Sequence, residues 1–376
     1  MNLLRPFIIC SLILSLLPTN TSTAAIRTLG QKSITKDIKY IHLVNEIPQK
    51  NAWGYDTGIK YQHLYVIKID YNNKKNEVQP AIAFGMPGAI EPTSRIAKYQ
   101  NALAAVNGGF FHVYHEPQLP IGLIIIDGKI VSKSLLSRTT MGITKNRKFV
   151  FGYPRVTGKI VNPKRKVTIK IWGINRPRKE NEIILYTYEY GDTTMTNLTG
   201  KELIVKRNLV IETGSGNSEI PKEGFVISFH GRSNKFLEYF PVGSQVEMEY
   251  GLANEWREVD QAITGGPRLI KNSQIVVAES IKRENFRGSL LTRNARTAIG
   301  VTKKNFVILL VAEKSYQSMG ATYSELATYM KYLNCVDAMG LDGGGGSTMV
   351  IGSKIMNKLQ DGWQRHVSNA VIVKTN

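Results

Sequence analysis

Residues 338–350 read AMGLDGGGGSTMV, an acid and a hydroxyl pair enclosing four consecutive glycines. The apolar run CVDAMGL before Asp342 reads as a buried strand, so the acid and the glycines stand at its C-terminal end. Each glycine costs about 0.5–1 kcal/mol relative to alanine in a regular element, which a chain tolerates where backbone must bend sharply or come close to a ligand. No lysine precedes Ser347, and the following TMVIGSKIM is β-like rather than a helix start, so the P-loop pattern is absent; G-x-G-x-x-G fails as well. The amides of Gly343, Gly344, Gly345 and Gly346, with the hydroxyls of Ser347 and Thr348, can instead form an anion-binding concavity.

Two other segments repeat the arrangement. LAAVNGGFF (103–111) carries Asn107, Gly108 and Gly109, and QAITGGPRL (261–269) carries Gly265, Gly266 and Arg268, each after a short apolar run. Around them the chain reads as hairpins: LIIIDGKIV (123–131) with an Asp-Gly turn, PRLIKNSQIVV (267–277), and TAIGVTKKNFVILLVAE (297–313). The clearest helix is TYSELATYMKYLN, where Thr322 and Glu325 form a capping box and Leu326, Met330 and Leu333 follow at helical spacing. Glu325 is thereby assigned to capping. The expected fold class is α+β, with strand-rich mixed sheets, β-hairpins and few helices, and a site at strand-end glycine loops.

The first 24 residues, MNLLRPFIICSLILSLLPTNTSTA, have one charge (Arg5), an apolar run and small residues near Ala24. That order is a secretory signal, and the run is too short to span a bilayer comfortably. The expectation is a secreted or periplasmic protein with no transmembrane span after cleavage. Removal of Cys10 leaves Cys335 alone, a buried filler, so the core must supply the stability. Residues 25–94 are expected to form an arm and the first strands, and 95–376 the main domain, with a β-rich subdomain near 155–250. The formal net charge of +20 calls for an acidic partner, and export excludes chromosomal nucleic acid. A phosphorylated glycan or anionic surface polymer fits. Nothing in the sequence sets the oligomeric state.

Asp342 and Glu313 each close an apolar strand, and paired acids at neighbouring strand ends are the layout of glycoside hydrolysis. Arg268, Arg296 and Arg365 lie in or beside strands and could grip phosphate in two-pronged fashion. A rival reading takes His112, His115 and Glu116 in FHVYHE as ligands of a metal-dependent phosphodiesterase. Another makes the protein a non-catalytic binder of anionic glycopolymers.

Several pieces, in order, resemble the phosphodiester glycosidases: ALAAVNGGFF, PIGLIIIDGKI, INRPR, ILYTYEYGDTTMTNLTGKE, ITGGPRLIKN, NARTAIGV, SMGATYSELATYM, LDGGGGSTM and RHVSNAVIV. The resemblance runs from about residue 95 to the C-terminus. In this chain Gly346 replaces a serine of the usual loop, Gly340 an asparagine, and Glu313 an aspartate. The resemblance implies an exported hydrolase acting on the anomeric C–O bond of sugar 1-phosphodiesters of the N-acetylglucosamine type. It requires no cofactor and leaves a divalent metal open. On that basis Asp342 is nucleophile or water-activating base and Glu313 its second carboxylate. Arg296, Arg365 and residues 343–348 hold the phosphate; Asn107, Gly108, Gly109, Gly265, Gly266, Arg268 and Asn369 line the substrate pocket.

Overall fold

The computed structural model describes residues 25–133 and 136–375; the expected signal segment lies outside them. Its largest element is an eight-stranded sheet ordered Ala25–Ser33, Ile38–Lys50, Asp56–Asp70, Phe306–Ala312, Arg296–Thr302, Cys335–Gly340, Arg268–Lys271, Gln274–Ile275. Every neighbouring pair is antiparallel. The run FVILLVA is continuously apolar because both faces of its strand are covered. One face packs Ile67, Leu309, Ile299 and Met339 against Val106, Met349 and Val371 of a second sheet and Met141 and Ile263 of a third. The other face packs Leu64, Leu310 and Ala338 under two helices. These are α2 (Val277–Arg283) and α3 (Tyr323–Tyr332), while α1 (Thr93–Tyr99) covers the outer side of the second sheet.

The second sheet is ordered Lys354–Ile355, Met349–Ile351, Ala104–Asn107, Asn369–Thr375, Asn76–Ile82, and the third Phe149–Gly152, Thr140–Thr144, Val259–Thr264, Leu123–Ile126, Lys129–Lys133. Strands between 156 and 252 make two further sheets, of three and five strands. Their core is continuous with the third sheet through Leu123, Ile125 and Ala262. The architecture is strand-rich α+β. The three expected hairpins form, and Asp127 and Gly128 take the positive φ values (51° and 75°) of a tight turn.

The N-terminal expectation is corrected. Residues 25 to about 60 are not a leading arm but belong to three strands of the main sheet, the third of which runs on through the expected strand from His63. Their polar composition reflects position: Ile38, Leu43, Val44 and Leu64 are buried, whereas residues 52–60, around the turn of a long hairpin, are exposed. In α3 the capping box forms as expected, and the buried stripe is Tyr323, Leu326, Ala327 and Met330, with Leu333 only half-buried at its end. Among the described residues, no helix is long and apolar enough to cross a membrane.

Because Leu309 is fully buried between layers, Leu309→Ala is expected to lower the unfolding free energy by about 2–5 kcal/mol in urea titration. Lys303→Ala, on the exposed turn of the same hairpin, should stay within about 0.5 kcal/mol of the parent.

Candidate active site

The three glycine loops of the sequence meet at one place. Asp342 N–H donates to the Gly108 carbonyl at 3.0 Å, and Gly266 N–H to the Gly340 carbonyl at 2.8 Å. A Cβ on Gly265 would strike the Gly340 carbonyl, and one on Gly109 the Thr264 carbonyl. These glycines let strand tips from all three sheets close on one another. Gly266, at φ +108°, takes a backbone conformation that favours glycine and lies against the buried Glu284. Glu284 ties the loop down by accepting from the amides of Thr139 (3.0 Å) and Arg268 (3.1 Å) and the hydroxyls of Thr139 (2.6 Å), Tyr153 (3.1 Å) and Ser280.

Asp342 stands at this junction. The Asn107 Nδ2 donates to its carbonyl at 2.8 Å, while Asn107 Oδ1 accepts from the Thr297 hydroxyl (2.7 Å) and the Thr348 amide (3.2 Å). Gly343 N–H donates to Asp342 Oδ1 at 2.9 Å; Oδ2 points toward Gly346, where a Cβ would lie 3.7 Å away. Part of the side chain reaches the surface, yet protein surrounds the carboxyl densely. That burial pushes its pKa up to about 6, against the lowering pull of the Gly343 amide and of Arg296, Arg138 and Arg365.

The cations differ in how far they are committed. Arg296 is buried; its guanidinium donates to the carbonyls of Ala321 (3.2 Å), Leu290 (2.8 Å) and Thr292 (2.5 Å) and lies 4.1 Å from the Tyr323 ring centroid. Its Nη1 is directed at Gly343, where a Cβ would sit 3.4 Å away. Arg365 is half exposed, pairs with Asp361, and lies against Gly345. Arg138 lies over the rings of Phe110 (4.7 Å) and Phe286 (4.3 Å), and its buried Nε has no hydrogen-bond partner. Burial lowers the pKa of both Arg138 and Arg296, and Asp342 pulls both back up.

Of the buried hydroxyls without a partner among the described residues, three belong to this region: Tyr323 Oη, Ser347 Oγ and Thr348 Oγ1. Burial pushes the Tyr323 hydroxyl up to about 12, with Arg296 opposing that rise and Asp342 adding to it, so the phenol stays protonated and able to donate. Unsatisfied buried donors are costly, and their gathering around one acid marks a place that a polar ligand would satisfy. Arg138 and Tyr323 were not foreseen. The capping box drew attention to Glu325, and Arg138 lies in SRTTMG, which has no motif. The signal available for Tyr323 was its place three residues before Leu326 on the buried stripe.

Other expected residues have different positions. Glu313 is separated from Asp342 by a strand: Gly340 pairs with Ala298, and Arg296 pairs with Ala312. At about 4.8 Å per strand the two backbones lie about 10 Å apart. Glu313 is buried and accepts from the Tyr65 hydroxyl (2.8 Å), the Ser315 hydroxyl (2.7 Å) and the Lys358 amide (2.8 Å). Arg268 is turned to Asp337 and the Ile270 carbonyl. Asn369 is spent on the glycine loop: its Oδ1 accepts from Gly109 N–H at 2.7 Å and its carbonyl from Gly108 N–H at 2.9 Å. The glycine run does not present a ring of free amides. Gly343 N–H serves Asp342 and Gly344 N–H the Ala295 carbonyl (2.8 Å), while Ser347 N–H closes the 3-10 turn of residues 344–346 on the Gly344 carbonyl (3.0 Å). Their smallness admits Ala295, Asp361 and Arg365. His112 and His115 face each other at 5.8 Å on a loop where Glu116 is exposed. Among the described residues no three His, Cys, Asp or Glu side chains converge as metal ligands. Cys335 is buried and free.

Comparison with known proteins agrees with the motifs. Residues 199–374 match the family model of the phosphodiester glycosidases. The match takes in Arg296, Tyr323, Asp342 and Arg365 and leaves Asn107 and Arg138 outside it. Human N-acetylglucosamine-1-phosphodiester alpha-N-acetylglucosaminidase is 30% identical over 128 residues, covering 30% of this chain and 25% of that enzyme. The mouse enzyme is 29% identical over 128 residues, so the match spans about a quarter of the length of these mammalian relatives. An uncharacterised protein of Rickettsia conorii is 23% identical over 227 residues, 58% of this chain and 77% of that one. Among solved structures, a hypothetical protein from Synechocystis superposes with a TM-score of 0.78 at 21% identity, covering 94% of this chain and 64% of that chain. A protein of Burkholderia pseudomallei gives 0.77 at 17%, covering 95% and 98%. The catalytic domain of zebrafish N-acetylglucosamine-1-phosphodiester alpha-N-acetylglucosaminidase gives 0.53 at 17%, covering 94% and 88%. At those identities the structural matches establish the shared fold. The C-terminal part of the chain thus carries the sequence of the phosphodiester glycosidase family.

Two outcomes follow from the geometry. Glu313→Gln replaces an acceptor by a donor among three donors and should lower stability by about 1–3 kcal/mol in chemical denaturation. For Asp342 the folded-state pKa is raised above the ordinary 3.8, so the folded protein holds the proton more tightly. That contribution is full below pH 4 and is lost as pH rises toward 6. Asp342→Asn should therefore raise the Tm at pH 7.5, and the gain should vanish near pH 4 in parallel thermal scans.

Proposed function

We propose that the protein is an exported hydrolase that cleaves the anomeric C–O bond of sugar 1-phosphodiesters on an extracytoplasmic glycan. One observation carries the reading: a carboxyl raised to about 6 stands where three glycine loops close, facing Arg138, Arg296 and Arg365. Asp342 acts as nucleophile or as base for the attacking water, its backbone clamped by Asn107 and one oxygen by the Gly343 amide. The bond that breaks is C1–O, and its electron pair leaves on the phosphate. A phosphomonoester is a good leaving group, so stabilising its charge matters more than protonating it. Arg138, Arg296 and the Tyr323 hydroxyl carry that duty, with Ser347 and Thr348 as further donors. Glu313 supports the strand end instead of sharing the chemistry, since it is buried and both its oxygens are already engaged, one by the Tyr65 hydroxyl and the Lys358 amide and the other by the Ser315 hydroxyl. The matched family and the human enzyme's name support the substrate class, and the apolar leader in residues 1–24 supports export.

Hydrolysis of a methyl α-N-acetylglucosamine-1-phosphate diester in ¹⁸O-water should place the label on the sugar and release unlabelled phosphomonoester. Label on the phosphate would instead mean attack at phosphorus and overturn the reading. Asp342→Asn should abolish turnover, and Arg138→Gln should lower kcat/KM on the order of 10²–10³-fold. Because Asp342 must be ionised to act, kcat/KM should rise with pH through about 6.

A further inference from the structure

A cavity of about 850 Å³ lies away from Asp342, on the part of the main sheet that the other layers leave uncovered. In the strand register Arg27 is paired with Val44 and Val44 with His63, so these side chains share one face and form the floor. Tyr61 extends the floor, and the loop carrying Tyr316, together with Arg293, makes the far wall. Arg27, Lys60 and Arg293 line the cavity, and no Asp or Glu does among the described residues; Glu46, paired with Tyr61 in register, stands on the same face beyond the lining. Arg27 and Arg293 are held in place by Glu46 (2.7 Å) and Glu325 (2.6 Å) outside the lining, each keeping further N–H groups. Tyr316 is 86% exposed and Tyr61 42%, large rings left in water beside cations. Lys358 Nζ adds a fourth charge 4.3 Å from the Tyr316 ring centroid.

We propose that this cavity is a second binding site, for an anionic oligosaccharide segment, with the aromatic rings covering sugar faces and the cations meeting its phosphate or carboxylate groups. Concave shape, one sign of charge and bare aromatic rings together select such a ligand over a flat membrane surface. The site is joined to the reaction centre by the chain itself. Arg293 lines the cavity, Ala295 accepts from the Gly344 amide, and Arg296 faces Gly343, so a polymer held here is led toward the Asp342 loop. The inference does not rest on the hydrolytic reading, because a chain gripped here need not be cut.

The test uses an end-labelled hexasaccharide joined by sugar 1-phosphodiester bonds and its neutral, phosphate-free counterpart, titrated by fluorescence anisotropy against the Asp342→Asn protein. Arg27→Glu combined with Tyr316→Ala alters two exposed side chains; added to that protein, the pair should weaken hexasaccharide binding about tenfold or more. In the otherwise unaltered protein, the same pair should leave hydrolysis of the small methyl diester within twofold. If neither protein hydrolyses the small diester but the pair still loses the hexasaccharide, this inference stands and the hydrolytic reading falls. Unchanged hexasaccharide binding in the double variant would overturn it. So would equal affinity for the neutral counterpart, or tighter binding to phosphatidylglycerol vesicles that the same substitutions abolish.

Discussion

The site depends on the side chain of Asn107. It ends a strand of the second sheet, yet its amide holds the carbonyl of Asp342 and its oxygen takes the hydroxyl of Thr297, both belonging to the first sheet or its extension. The same oxygen takes the Thr348 amide at the far end of the glycine run. One fully buried residue thus bolts two layers of the sandwich at the point where both run out. The glycines around it, Gly108, Gly109, Gly265 and Gly340, are what permits backbones of different sheets to approach closely enough for that bolt to reach. An asparagine is suited to the task because it presents a donor and an acceptor on one short stem. Without the three partners its burial would be costly.

The glycine loops were legible in the sequence because each is a contiguous string, and their meeting place follows from strands ending together. What the loops do was less legible. Four glycines read as an amide cradle, but a 3-10 turn and the Asp342 carboxyl consume amides that a phosphate would have used. The glycines are small so that Arg365 and Asp361 can lie on them. Glu313 shows a different limit. In sequence it is indistinguishable from Asp342, an acid closing an apolar strand, and only register reveals a strand between them. Arg138 carried no signal in the sequence, and Tyr323 only that of a buried helix position, not of a site residue. Each gains its role from packing across elements: Phe110 and Phe286 under one, Arg296 over the other. The N-terminal strands were underread because a sheet edge with one bare face carries polar residues where a central strand cannot.

Three arginines near one carboxylate would ordinarily depress its pKa. Here it rises, because each cation is already partly spent: Arg296 on three carbonyls, Arg365 on Asp361, Arg138 against two aromatic rings. Burial therefore wins at Asp342. The consequence is a carboxyl that ionises close to neutrality and whose carboxylate is a stronger base than one of ordinary acidity.

The same partial commitment bears on the order in which charge moves. In the hydrolysis proposed above, a phosphodiester would bring one negative charge to the arginines, whereas the phosphomonoester released by C–O cleavage would carry up to two. The cluster is thus more complementary to the leaving phosphate than to the bound diester, and that difference is what accelerates a step. In that reaction the orphaned donors at Arg138 Nε and Tyr323 Oη would strengthen the asymmetry, since a buried unpaired donor gains most from a fully charged acceptor. Tight grip on the leaving dianion would slow its release if all the cations were buried. Arg365 is the half-exposed one, paired with Asp361 at the rim, so in the proposed reaction it is the cation through which water would first reach the departing charge.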